Sequence, residues 1–158
     1  MSGGAMDTDL RDLYQDLILD HSKRPHNFRT LPGSNREALG HNPLCGDRLA
    51  LYLTVDDGGK ISDVTFQGSG CAISVASASM MTDMLKGKTL AEANRLFNYM
   101  HTACTGADAD AAGLSEDEID RIKALAGVRH YPMRVKCATL AWHTMQAALK
   151  NEQKASME

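Results

Sequence analysis

Three cysteines and one aspartate carry the chemistry legible in this chain. Cys45 and Asp47 lie in Asn42-Pro43-Leu44-Cys45-Gly46-Asp47, Cys71 in Gly68-Ser69-Gly70-Cys71-Ala72-Ile73-Ser74, and Cys137 in Arg134-Val135-Lys136-Cys137-Ala138. Pro43 restricts its own backbone and Gly46 frees the next one, so a thiol and a carboxylate on that turn can point at one place. Three thiolates and a carboxylate suit tetrahedral zinc or an iron–sulfur cluster, because sulfur-rich ligand sets select those metals over magnesium or calcium. The cysteines are widely spaced, with no C-x-x-C pair, so the local setting of each has to carry the argument.

Those settings follow from the elements around them. The run Ile73, Val75, Ala76, Ala78, Ser79, Met80, Met81 and Leu85 reads as a helix ending near Gly87. Cys71 then sits at a helix N-terminus, where free amides and the positive end of the dipole favour a thiolate. Cys137 falls in the first turns of a last helix expected from Met133 to Lys150 behind Pro132, with Ala141, Thr144 and Ala148 on the same side. Cys104 has neither glycine nor carboxylate beside it and reads as a small buried hydrophobe. Met80, Met81, Met84, Met133 and Met145 read as adaptable core filling.

Upstream, Leu10, Leu13, Tyr14, Leu17 and Ile18 follow helical spacing, with Asp7, Thr8 and Asp9 as candidate caps and an end near Pro25. His21 and His26 read as surface histidines at its exit and stay outside the site. Arg36 to His41 is expected as a short strand that delivers the cysteine turn. Leu49, Leu51, Leu53 and Val55 alternate with Arg48, Ala50, Tyr52 and Thr54 as a half-buried strand does. Asp56-Asp57-Gly58-Gly59 is a hairpin turn, and Lys60 to Gln67 returns with Val64 and Phe66 inward, until Gly68-Ser69-Gly70 breaks the strand. Thr89 with Glu92, and Ser115 with Glu118, spell capping boxes that open two helices; Leu114 can staple to Ile119. Residues 101 to 113 read as a loop.

The fold class expected is α+β, a three-stranded antiparallel sheet with helices packed mainly on one face. The 158 residues, 43% of them hydrophobic, suffice for one core. A single domain over 7–150 is expected, flanked by flexible segments at 1–6 and 151–158. A net charge of -3 and 5% aromatic residues offer no footprint for nucleic acid or an anionic membrane. No apolar run approaches the ~20 residues of a membrane span and no export segment is visible, so a cytoplasmic protein is expected. Four cysteines in that setting point to metal or catalytic work rather than disulfides.

Together the three cysteine motifs, the last extended through Thr139-Leu140-Ala141-Trp142, resemble the NifU-like iron–sulfur assembly family. The resemblance runs from about Leu10 to Lys150 and includes Leu13-Tyr14, Asp20-His21 and Lys86-Gly87-Lys88-Thr89. The chain looks nearer the SufU-type branch than the IscU-type scaffolds. Scaffolds carry histidine before the third cysteine where this chain has Lys136, and the chain has an insertion around Cys104 to Val128. The SufU-type resemblance implies a zinc protein with ligands Cys45, Asp47, Cys71 and Cys137. It also implies that Cys45 accepts sulfur from a SufS-type, pyridoxal-phosphate-dependent cysteine desulfurase, a histidine of which takes the place of Cys45 on zinc, and that downstream SUF assembly proteins receive the sulfur.

Arg134, Lys136 and Arg48 can compensate the formal -2 charge of such a centre, and Arg134 is a candidate catalytic residue attracting an anionic persulfide. Two other readings use the same residues: a scaffold assembling a [2Fe–2S] cluster with Asp47 as labile ligand, and a structural zinc-binding interaction module.

Overall fold

The computed structural model describes residues 14–106 and 110–151. A first helix, α1, covers 14–23 of them. Strands β1 (Arg36–Asn42), β2 (Asp47–Val55) and β3 (Ile61–Ser69) follow and form an antiparallel sheet in that order. Helices α2 (Ala72–Leu85), α3 (Leu90–Cys104), α4 (Glu116–Ala126) and α5 (Pro132–Leu149) complete the described chain, with a 3₁₀ turn over Gly127–His130 before α5. The α+β meander with its helices is the architecture expected. The proposed caps Asp7, Thr8 and Asp9, the helix-face residues Leu10 and Leu13, and the flexible ends expected over 1–6 and beyond Asn151 lie outside the described residues.

Alternation decides the sheet's faces. Asp47, Leu49, Leu51 and Leu53 of β2 point inward and are buried, while Arg48 between them is exposed. Leu51 pairs with Phe66 and Leu53 with Val64 across to β3, all four buried. The hairpin closes on Asp56, whose side chain accepts the N–H groups of Gly58 (2.9 Å) and Lys60 (3.0 Å). β3 runs two residues beyond Gln67, through Gly68 and Ser69, rather than breaking there. Gly68 permits this, since a Cβ would stand 2.2 Å from the Arg48 carbonyl oxygen.

α5 packs on β1 and β2, and α2 packs on β3 and on α5. Close approach is built into the sequence: a Cβ on Gly40 would meet Thr144 Oγ1 at 2.1 Å. Between α2 and α5, Trp142 Nε1 donates to Ser77 Oγ at 2.9 Å, and the Ser77 hydroxyl donates to the Ala138 carbonyl at 2.6 Å. All of these groups are buried, so each polar atom must find a partner, and the chain of bonds sets one register between the two helices. That register places the start of α2 near the second turn of α5.

Both expected capping boxes are present, Thr89 with Glu92 and Ser115 with Glu118. Leu114 and Ile119 both pack against the core. Three expectations change. Residues 101–104 belong to α3 rather than to a loop, because the buried face of that helix continues from Met100 to Cys104. Met133 is 61% exposed beside the start of α5 and is not core, whereas Met80, Met81, Met84 and Met145 are buried. His21 is buried rather than superficial, because its ring bonds Ser79 of α2 and the segment after α1 folds back so that the His26 N–H donates to the same hydroxyl.

Candidate metal centre

The centre begins where β1 ends. The Asn42 carbonyl accepts the N–H groups of Cys45 (3.3 Å) and Gly46 (2.8 Å), and its side-chain Oδ1 accepts the N–H of Leu44 (3.3 Å). The reversal needs Gly46 at φ +73°, a conformation most L residues avoid. Pro43, Leu44 and Gly46 are exposed and Cys45 is half-buried, so the turn presents its thiol at the surface.

The next residue, Asp47, opens β2 on the inward face and is 0% exposed. Its Oδ1 accepts the backbone N–H of Cys71 at 2.9 Å, which fixes the strand-to-helix junction against the carboxylate. A Cβ at Gly70 would lie 2.3 Å from that oxygen. The other oxygen, Oδ2, is buried with no hydrogen-bond partner among the described residues. An orphaned buried carboxylate oxygen costs about 1–3 kcal/mol, and a cation at this place would remove that cost.

The sulfurs stand around it. Cys45 Sγ and Cys137 Sγ are 3.3 Å apart, and ligand atoms of Cys45, Asp47 and Cys137 all lie within 4.8 Å of one another. Cys137 is fully buried in the second turn of α5, and Asn42 Nδ2 approaches its sulfur at 3.8 Å. Cys71 is not one of that tight trio. It joins through its backbone N–H, which donates to Asp47, and its thiol is near enough to Cys137 to influence that residue's titration. Burial pushes the Cys137 thiol far above the ordinary cysteine value, and the neighbouring Asp47, Cys45 and Cys71 side chains add to the rise. A metal bound here must therefore displace protons, which makes its affinity pH-dependent. A set of thiols plus one unpartnered carboxylate oxygen fits zinc or an iron–sulfur cluster in ligand chemistry.

Of the three candidate counter-charges, Arg134 is the one brought onto the sulfurs. The proximity of Cys71, and then of Cys137, raises the Arg134 pKa, as expected of a guanidinium beside those sulfurs. All three counter-charges, Arg134, Lys136 and Arg48, are exposed. Cys104 is remote from the centre by role: it is fully buried, touches Met100 Sδ at 3.8 Å, and burial lifts its pKa to about 12. Such a thiol is inert, as expected from its neighbours. Sequence reasoning missed Asn42, whose one side chain bonds both the Cys45 turn and the Cys137 sulfur. The available signal was an Asn-Pro pair opening a tight turn.

An α+β domain that gathers thiols and a carboxylate at one end of a three-stranded meander defines a class of protein. The NifU-like N terminal domain matches residues 13–138, and the chain belongs to that family. It is 40% identical over 146 residues to a Streptococcus pyogenes protein named iron-sulfur cluster assembly scaffold protein IscU, covering 92% of this chain and 88% of that one. It is 38% identical over 151 residues to a Bacillus subtilis protein named zinc-dependent sulfurtransferase SufU, covering 94% and 97% respectively. Among solved structures, a Fervidobacterium islandicum protein described as an iron-sulfur cluster assembly scaffold for the SUF system superposes with a TM-score of 0.77. The two are 36% identical, with 85% of this chain and 94% of that one covered.

Proposed function

We propose that this chain serves iron–sulfur cluster assembly as a zinc-dependent sulfur acceptor and carrier, loaded by a SufS-type cysteine desulfurase. The observation that carries the reading is the asymmetry of the centre. Asp47 and Cys137 are buried on regular elements, whereas Cys45 stands on an exposed turn. Zinc would be held by Cys45, Asp47, Cys71 and Cys137 and would keep the thiols deprotonated without redox chemistry.

Cys45, on the element best able to move, is the residue that meets the donor. Its thiolate attacks the outer sulfur of the desulfurase persulfide; the sulfur–sulfur bond breaks, the donor leaves as thiolate, and Cys45 carries the new persulfide. Arg134, beside Cys71 and Cys137, offsets the negative charge that the transfer brings in. Leu44 (62% exposed), Tyr131 (64%) and Met133 (61%) lie close in sequence to Cys45 and Cys137 and supply apolar surface for a protein donor. The Bacillus subtilis relative's name supports zinc and sulfur transfer.

The second reading, a scaffold on which a [2Fe–2S] cluster assembles at the same residues, has the support of the Streptococcus pyogenes relative's name. A purely structural zinc module fits less well, since structural sites are closed and Cys45 is half-exposed.

The deciding experiment measures alanine formation from cysteine by the desulfurase, anaerobically, with zinc-loaded and chelator-stripped protein. Faster turnover that requires zinc, and its loss in Cys45→Ser, are expected. Suppression by zinc together with cluster formation on added iron would reverse the order of the two readings, and full sulfur uptake by Cys45→Ser would remove Cys45 from its role.

A further inference from the structure

A second group of metal-ligating side chains lies away from the cysteines. His21 lies in the last turn of α1 and is buried, His26 follows in the segment that folds back, and Asp83 lies in α2. One ligand atom from each of His21, His26 and Asp83 falls within 4.8 Å of the others. Asp83 is twelve residues past Cys71, about 18 Å along the axis of α2. The two groups cannot share one ion.

We propose that His21, His26 and Asp83 form a second divalent-cation site, an open nitrogen–oxygen site for a first-row transition ion such as Zn²⁺, Co²⁺ or Fe²⁺. Two imidazoles and one carboxylate match the preferences of those ions and leave coordination positions for water. The side chains of His21 and Asp83 are also oriented from behind, as ligands in metal sites are, and His26 is held by its backbone. Ser79 Oγ bonds His21 Nδ1 at 2.7 Å and accepts the His26 backbone N–H at 2.8 Å. With Nδ1–H donating to Ser79, the Nε2 lone pair of His21 is the free donor. Asn27 Nδ2 donates to Asp83 Oδ1 at 3.0 Å and to Thr82 Oγ1 at 2.9 Å, while Asp83 Oδ2 and His26 Nδ1 hydrogen-bond each other directly, a bond that an ion between them would replace. The imidazole centroids of His21 and His26 are 4.4 Å apart. Burial and the neighbouring His26 lower the His21 pKa.

Two cations oppose the site. Arg121 Nη1 lies 3.7 Å from Asp83 Oδ2, and Lys86 Nζ bonds Asn27 Oδ1 at 2.5 Å. Arg121 is engaged more closely by Asp117, at 2.9 Å from its Nε, so it lowers the affinity without occupying the carboxylate. The site therefore fills after the thiolate centre.

The test is a Co²⁺ titration of the full chain after one equivalent of Zn²⁺, read by visible absorption and by equilibrium dialysis. A further equivalent is expected, showing cobalt d–d bands without the intense ultraviolet band of sulfur-to-cobalt charge transfer. His26→Ala, at an exposed residue, should weaken that equivalent by about tenfold or more, while Arg121→Gln should strengthen it, an effect that a merely structural role for the cluster does not produce. Absence of the extra equivalent up to millimolar Co²⁺ would overturn the site. So would an equivalent that His26→Ala leaves unchanged, which would assign the ion to other surface histidines.

Discussion

α3 and α4 begin at Thr89 and Ser115, each closing a capping box, with Glu92 in the first turn of one and Glu116, Asp117 and Glu118 in that of the other. α2 and α5 begin at Cys71 and Tyr131, with no side-chain cap and no acidic residue in the first turn. A cap is worth ~1 kcal/mol and first-turn acids add a few tenths, so the second pair forgoes local stabilisation that the first pair uses. It is the second pair that carries Cys71 and Cys137 of the candidate metal centre. At α2 the uncapped positive dipole end favours a thiolate at Cys71, whereas Cys137 lies in the second turn of α5, beyond that reach. Burial on nearly every side, against the sheet and each other, holds α2 and α5 in place of caps.

That contrast is most directly broken by Cys71→Ser. Serine is a good N-cap, so the metal-free protein should gain ~0.5–1 kcal/mol while zinc affinity, measured by chelator competition, falls by about 100-fold or more. A loss of metal-free stability instead would show that the α2 start is not short of a cap.

Next in size is Gly70→Ala, whose new Cβ must displace the Asp47 carboxylate now 2.3 Å away. Zinc affinity is expected to fall by about tenfold to 100-fold, with the far-ultraviolet spectrum unchanged; unaltered affinity would separate Asp47 from the metal.

The capped side of the comparison is sharpened by Glu118→Gln. Burial raises the Glu118 pKa, but the Ser115 backbone N–H and the Lys88 ammonium, 2.9 Å away, outweigh it and leave the carboxyl below its ordinary value. The stabilisation is thus fully present above the unfolded value of about 4.3 and is lost as pH falls through the lower folded value. Urea unfolding at neutral pH should show a cost of about 1–2 kcal/mol for Glu118→Gln, and the difference from wild type should shrink toward acid pH. Zinc affinity should not change.

The smallest effect is expected from Cys104→Ala, about 1 kcal/mol of stability with unchanged zinc stoichiometry by atomic absorption. A halved zinc content would return Cys104 to the ligand question.

Much of this architecture was written in short-range patterns. The alternation of Leu49, Leu51 and Leu53, the Asp56–Gly59 turn and both capping boxes are local, because a strand's period, a hairpin's positive-φ glycine and an N-cap bond each involve residues only a few positions apart. Loop chemistry around Cys45 and Cys71 likewise singled them out from Cys104.

Tertiary packing decided what lies far apart in sequence. That Asp47 leaves one oxygen unpartnered, that Asn42 bonds the Cys137 sulfur, and that His21 is buried with its ring bonded to Ser79 of α2 all depend on contacts between distant residues. Met133 shows the same limit from the other side, since helical spacing alone cannot say which face meets solvent at the first turn of α5. Residue types and spacing determined which groups could act here. Which of them meet was decided by the sheet and by the register of α2 on α5, because burial and hydrogen-bond satisfaction are properties of the packed whole.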